Sequence, residues 1–209
     1  MNPLDIASHG PVIPVIVIDR VEDALPLAEA LLAGGVKVLE VTLRTAAGLP
    51  AIEAIARHLP EAVVGVGTVL NADDARRASE AGARFAVSPG YTSAVGSACK
   101  GQNLPLLPGV ATSSEIMAAL ADGFSFLKLF PAEAVGGLPL LKSWASPFGQ
   151  VSFCPTGGIT NATASNYLAL PNVRCVGGSW LTPTDAVRAG DWARITQLAR
   201  DTQALRKAA

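Results

Sequence analysis

Eight short apolar runs recur along the chain, at Val12–Ile18, Val36–Val41, Val63–Val66, Phe85–Val87, Leu104–Leu107, Phe124–Phe130, Val151–Phe153 and Val173–Val176. Their starts lie 24, 27, 22, 19, 20, 27 and 22 residues apart. Each run is strand-length, and helical periodicity fills the gaps: Ala24, Leu27, Ala28, Leu31 and Leu32 keep the i, i+3, i+4 spacing, as do Ile52, Ile55, Ala56 and Leu59. Glycines at Gly34-Gly35, Gly82 and Gly123 mark helix ends. Asn71 before Ala72-Asp73-Asp74, and Thr112-Ser113-Ser114-Glu115, mark helix starts. Short apolar strands alternating with helices predict a parallel sheet covered by helix. Eight such units in 209 residues match a (β/α)8 TIM barrel near its minimum size. An open doubly wound sheet would place a glycine-rich phosphate loop after the first strand, where Val17-Ile18-Asp19-Arg20 has no glycine. A leucine-rich solenoid would repeat a consensus, and these units share none. With no linker or low-complexity stretch, residues 1–209 read as a single domain. The Met1–His9 segment is expected to be a short helix closing the barrel bottom, and Asp191–Lys207 the last helix.

Half the residues are hydrophobic and 16% charged, with a formal charge of −1 and the charges scattered. That balance leaves no polyanion-binding surface, so nucleic acid is not an expected partner. Cys99, Cys154 and Cys175 are too far apart in sequence for a disulfide framework or a zinc motif, and read as buried thiols in a reducing compartment. No metal or cofactor is called for. The start lacks a basic n-region and no apolar stretch is long enough to span a bilayer. A soluble cytoplasmic protein with no membrane partner is the expectation.

One lysine breaks the pattern. Lys128 lies inside the most hydrophobic strand-like run, Phe124-Ser125-Phe126-Leu127-Lys128-Leu129-Phe130-Pro131. Lysine is rarely buried without compensation, and the neutral amine that desolvation favours is the form that attacks a carbonyl to make an imine. The competing reading is an edge lysine that snorkels to water.

In a barrel of this kind chemistry collects at the carboxyl ends of the strands. The second run ends Leu39-Glu40-Val41-Thr42-Leu43-Arg44, and strand alternation puts Glu40, Thr42 and Arg44 on one inward face. A structural salt bridge from Glu40 to Arg44 is the plain alternative to a functional cluster. The third, fourth and fifth runs end in Gly67-Thr68, Pro89-Gly90 and Pro108-Gly109. These are tight turns, and Thr68 is the hydroxyl that could reach the mouth. Two glycine loops close the series, Pro155-Thr156-Gly157-Gly158-Ile159 after the seventh run and Gly177-Gly178-Ser179 after the eighth. Loops at those two positions of a barrel often cradle a phosphate through backbone N–H groups.

A buried amine needs a carbonyl, Arg44 can pair with a carboxylate, and Glu40 can move protons. Together with a phosphate cradle, these residues describe an imine-forming enzyme acting on a phosphorylated 2-keto acid. A phosphosugar isomerase or epimerase barrel using Glu40 as base, and a non-catalytic ligand-binding barrel, are the rival readings.

At this point the chain resembles the 2-dehydro-3-deoxy-phosphogluconate (KDPG) aldolase family, which includes the 4-hydroxy-2-oxoglutarate (KHG) aldolases. The resemblance runs from Pro11-Val12-Ile13-Pro14-Val15 to Gly177-Gly178-Ser179-Trp180-Leu181. Its strongest segments are Glu40-Val41-Thr42-Leu43-Arg44-Thr45, Gly65-Val66-Gly67-Thr68-Val69-Leu70, Phe126-Leu127-Lys128-Leu129-Phe130-Pro131-Ala132-Glu133 and Phe153-Cys154-Pro155-Thr156-Gly157-Gly158-Ile159. It implies a metal-independent class I aldolase releasing pyruvate and glyceraldehyde 3-phosphate, with side activity on 4-hydroxy-2-oxoglutarate. It also implies imine formation at Lys128 and acid/base work by Glu40, through a water. Arg44 and Thr68 would hold the substrate carboxylate, with Pro89 lining the site. Thr156, Gly157, Gly158 and Ser179 would contact the sugar hydroxyls and phosphate. A homotrimer is implied as well. Ser179 favours the gluconate-derived substrate over its galactonate-derived epimer.

Overall fold

The computed structural model describes residues 3–205. Among the described residues there are nine strands, separated by helices except at Pro108, where β6 follows β5 directly: β1 Val12–Ile16, β2 Val38–Thr42, β3 Val63–Gly67, β4 Ala86–Val87, β5 Leu106–Leu107, β6 Gly109–Val110, β7 Phe126–Leu129, β8 Ser152–Phe153 and β9 Val176–Gly178. The helices are α1 Pro3–Ser8, α2 Ala24–Ala33, α3 Gly48–His58, α4 Ala72–Glu80, α5 Ser93–Gly101, α6 Ser113–Ala121, α7 Gly137–Trp144, α8 Asn161–Leu168, α9 Thr184–Ala189 and α10 Trp192–Gln203. The strands form a curled six-stranded parallel sheet, ordered β5-β4-β3-β2-β1-β9, and a three-stranded parallel sheet, ordered β6-β7-β8.

Each expected run carries a strand, with two differences. The fifth run continues past its expected end: Pro108 supplies no N–H, so Leu106–Leu107 pairs with β4 while Gly109–Val110 pairs with β7. The Pro108 carbonyl accepts from Lys128 N at 2.8 Å. The eighth run was expected at Val173–Val176, but its ladder starts only at Val176. Val173 makes an isolated bridge to Phe153, and the chain then turns its hydrogen bonds toward β1, beginning with Val176 N to Pro11 O at 2.9 Å.

Local chemistry explains the helix ends. Asn71 Oδ1 accepts from Asp74 N at 2.9 Å. Thr112 and Glu115 cap each other's backbone N–H groups. Gly82 and Gly123 leave their helices with φ of +87° and +84°. The last expected helix is α10, with Asp191 as its cap, and Lys207 lies outside the described residues. Among the described residues no helix is long and apolar enough to cross a membrane.

Alternation divides the core in two. Leu39, Val41, Val64 and Val66 face the helices and join the large cluster with Leu27, Leu31, Ile52 and Ile55. Each such side chain contributes about 1.5–3 kcal/mol through burial. Val38, Val63, Phe85, Phe126, Cys154 and Cys175 form a smaller cluster on the opposite, concave face. Ile6 of α1, fully buried, belongs to that second cluster. Helix α1 therefore packs against residues at the amino-terminal ends of the strands, such as Val38, Val63 and Phe126; Met1 and Asn2 of the expected Met1–His9 segment lie outside the described residues.

Candidate active site

Polar chemistry begins one pleat above this apolar floor. Two residues beyond Val38 is Glu40, two beyond Phe126 is Lys128, and two beyond Cys154 is Thr156. Successive same-face residues on a strand lie two apart, so a carboxylate, an amine and a hydroxyl share the concave face. All three are buried, Glu40 at 2% exposure, Lys128 at 3% and Thr156 at 5%.

Lys128 does not snorkel. Its Nζ donates to Glu40 Oε1 at 3.4 Å and stands 5.0 Å from the centre of the Phe130 ring. Burial without compensation would be costly for either charge, and the two supply it for each other across 88 positions of sequence. Glu40 therefore pairs with Lys128, not with Arg44. The strand ends at Thr42, so the alternation expected to turn Arg44 inward stops short of it. Arg44 is exposed, and its Nε donates to Thr68 Oγ1 at 3.4 Å. Thr42 is fully buried and donates to the Ile16 carbonyl at 3.0 Å, tying β2 to β1.

Thr68 has φ of +67°. A β-branched residue is a true outlier in the left-handed region, and such strain gathers at functional positions. Pro89 is half-buried behind Ser88, whose hydroxyl donates to the Gly90 carbonyl at 2.7 Å.

The turn after β7 is stitched to the loop after β8. Ala132 N donates to Thr156 O at 2.8 Å and Glu133 N to Gly157 O at 3.1 Å. Tyr167 OH donates to Glu133 Oε1 at 2.6 Å, and burial followed by that hydrogen bond pushes the Tyr167 phenol up. Gly157 and Gly158 have φ of +103° and +82°. A Cβ on Gly158 would stand 2.7 Å from Glu133 Cβ, so conformation and space both require glycine. This loop runs into the amino terminus of α8. Thr156 bridges to Gly177, and a Cβ there would collide with the Thr156 hydroxyl. Ser179 is exposed at the rim of a cavity of about 410 Å³. Arg20 and Arg188 line that cavity, but Asp23 at 2.7 Å and Asp19 at 3.4 Å already pair with them.

Three features of this region were not singled out from sequence. The Phe130 ring beside Nζ could have been found, since it is two residues past Lys128. Gly67 and Gly177 matter through the space they leave, which no motif announces. Cys154 and Cys175, distant in sequence, are neighbours on the concave face; their hydrogen bond and burial raise the Cys175 thiol well above its ordinary range. All three cysteines are unpaired and buried. Among the described residues no group of three or more His, Cys, Asp or Glu comes together as a metal site.

The chain is 54% identical over 196 residues to the KHG/KDPG aldolase of Escherichia coli K12, covering 94% of this chain and 92% of that protein. It superposes with TM-score 0.95 on the KDPG aldolase of Legionella pneumophila, solved with pyruvate captured at low pH as a covalent carbinolamine intermediate. That pair is 48% identical, covering 97% of this chain and 98% of the other. The aldolase of Zymomonas mobilis ZM4, solved with 3-phosphoglycerate, gives TM-score 0.93 at 51% identity, covering 98% and 96%. Residues 5–198 match the Aldolase family described as KDPG and KHG aldolase, and the chain belongs to that family.

Proposed function

We propose that the chain is a class I aldolase that cleaves 2-dehydro-3-deoxy-6-phosphogluconate to pyruvate and glyceraldehyde 3-phosphate. The observation that carries this reading is the enclosed amine of Lys128 held 3.4 Å from the Glu40 carboxylate. Glu40 takes a proton from the Lys128 ammonium, and the freed amine attacks the C2 carbonyl to give a carbinolamine. Loss of water, with Glu40 as acid, gives the iminium. A base then removes the C4 hydroxyl proton and the C3–C4 bond breaks, its electron pair passing into the iminium to leave an enamine. Glyceraldehyde 3-phosphate departs. Protonation at C3 and attack of water on the iminium return pyruvate and free lysine. Glu40 serves these proton transfers through a water, which lets one carboxylate reach both C3 and the C4 hydroxyl.

Arg44 and Thr68 hold the substrate carboxylate in this reading, and Pro89 lines the channel beside them. Thr156, Gly157, Gly158 and Ser179 together contact the sugar hydroxyls and the phosphate, with backbone N–H groups of the loop that leads into α8 facing the phosphate. Because Arg20 and Arg188 are already matched by acids, backbone dipoles and hydroxyls supply the site. Activity on 4-hydroxy-2-oxoglutarate, which carries no phosphate, follows as a side reaction.

The two sheets are read as one closed eight-stranded barrel in a single domain. The run Leu106–Val110 passes from one sheet to the other at Pro108. The second seam is supported by Arg174 N to Phe153 O at 3.0 Å, Gly177 N to Pro155 O at 2.9 Å and the Thr156–Gly177 bridge. A homotrimer in the cytoplasm, free of nucleic-acid and membrane partners, completes the proposal; three reduced thiols support the compartment.

Borohydride reduction in the presence of pyruvate tests it. Mass spectrometry should find one reduced pyruvyl adduct, on Lys128, and Lys128→Met should abolish both label and cleavage. Pyruvate release should be faster from the gluconate-derived phosphate than from its galactonate-derived epimer. An unlabelled Lys128 overturns the aldolase reading and favours an epimerase.

A further inference from the structure

Gly67 is glycine for a reason the backbone does not supply. Its φ is outside the left-handed region, which Thr68, the next residue, occupies. An alanine could adopt the Gly67 conformation. What it could not do is find room. A Cβ at this position would stand 2.5 Å from Glu40 Oε1, 2.8 Å from its Cγ and 3.1 Å from its Cδ. All three atoms belong to one side chain.

Neither party can move away freely. The β3 backbone is held on both sides, with Gly67 opposite Thr42 on β2 and Val87 on β4. Leu43 N also donates to the Gly67 carbonyl at 3.0 Å. Glu40 is 2% exposed and engaged with Lys128 Nζ. Of the two, the carboxylate at the end of a rotatable side chain yields more easily than a strand paired on both edges.

We infer that Gly67 is a positioning residue: the bare face of β3 at this point is the wall against which the Glu40 carboxylate rests, and it sets the distance from that carboxylate to Lys128 Nζ. The inference deepens the aldolase reading and rests on Glu40 as its acid/base group. Restoring an ordinary contact of 3.4 Å from the 2.5 Å clash needs a displacement of about 0.9 Å. Misplacing a reacting group by about 1 Å costs roughly 10²-fold.

Gly67→Ala should therefore lower kcat by roughly 10- to 100-fold and shift the pH profile of kcat, with KM little changed. Shortening the displaced side chain should relieve the clash. Glu40→Asp alone should lose activity, but added to Gly67→Ala it should raise both kcat and the melting temperature above those of the single Gly67→Ala variant. Gly65→Ala is the control. The atoms its Cβ would strike first belong to the Phe85 ring of the apolar cluster, so its main effect should be lower stability, with the pH profile moved far less than by Gly67→Ala.

Unchanged kcat and pH profile in Gly67→Ala overturns the inference, as does a Glu40→Asp loss that simply multiplies that of Gly67→Ala. If Gly67→Ala folds too poorly to assay, recovery of soluble, cooperative melting in the double variant supports the contact, and no recovery overturns it. Full turnover in Glu40→Gln sinks the acid/base reading instead, while the melting-temperature coupling still reports whether Gly67 and Glu40 compete for one space.

Discussion

Replacing Lys128 with methionine keeps an unbranched side chain, one atom shorter, and removes its charge from a pair almost wholly enclosed by protein. The Lys128 and Glu40 side chains are 4% and 3% exposed, and their charged atoms are 3.4 Å apart. At an effective dielectric near 20, two unit charges at that separation attract by about 5 kcal/mol. Desolvation of both groups offsets much of this in the intact protein, so the pair contributes little net stability. Removing one partner is different, because the survivor keeps its desolvation cost and loses its compensation; breaking such pairs costs about 3–5 kcal/mol. Lys128→Met should therefore unfold at markedly lower urea, its folding equilibrium weakened by about 2 to 4 orders of magnitude. Adding Glu40→Gln removes the stranded charge and should recover most of the loss, although neither variant can form an imine. Urea unfolding at pH 7 and one fixed protein concentration, followed by far-ultraviolet circular dichroism, measures both differences. A Lys128→Met variant within about 1 kcal/mol of wild type, or a double variant no more stable than the single, refutes an ion pair in the resting site. The amine would then rest uncharged, and Glu40 would not be the group that releases its proton.

Three further outcomes follow from individual contacts. Thr68→Gly removes a left-handed β-branched residue, φ +67°, whose strain costs about 1–2 kcal/mol, and returns part of that through a more flexible unfolded chain. Its melting temperature should equal or exceed that of wild type while turnover falls with the loss of the Arg44 partner; a lower melting temperature refutes the strain. Hydrogen bonds from Ser93 at 2.6 Å and Tyr91 at 2.5 Å hold the Asp122 carboxyl below its ordinary value of 3.8. A depressed carboxyl stabilises the fold above its unfolded value and loses that contribution as the pH falls through the folded one. Asp122→Asn should thus lower the melting temperature at neutral pH, the gap closing as the pH drops below 3.8; a gap independent of pH refutes the ionic contribution. Burial pushes the Cys99 thiol up to about 11, and Cys154 and Cys175 are enclosed as well. Iodoacetamide at pH 8 should leave the native protein unlabelled by intact mass and label all three cysteines in urea; rapid native labelling refutes stable enclosure.

How far the sequence could be read depended on the range of the interaction concerned. Strand alternation is local, and it placed Glu40 and Thr42 opposite Leu39 and Val41 without any knowledge of the partner strands. The capping residues Asn71 and Thr112 were legible for the same reason, since each bonds within its own first turn. Lys128 stood out because a cation in an apolar run demands compensation. What compensates it was a different matter. Alternation extended two residues too far suggested Arg44 for Glu40, but the ladder stops at Thr42 and the true partner arrives from β7. The split at Pro108 was equally hidden, because a missing N–H matters only once the neighbour on each side is known.

Gly67 carries this furthest. From sequence it shares its appearance with any glycine at a strand end, and the obvious readings are a tight turn or close approach of a ligand. Its backbone is neither left-handed nor in need of flexibility. The volume it leaves open is occupied by the Glu40 side chain, whose own burial depends on Lys128, 88 positions further along the sequence than Glu40. Such a requirement belongs to three strands at once. It emerges only when the register of β2 against β3 has set Glu40 opposite Gly65 and its side chain fills the space over Gly67; the same strand tolerates valine at 66, facing the helices, but is bare toward the concave face at 67, where Glu40 lies, and at 65, where the Phe85 ring lies.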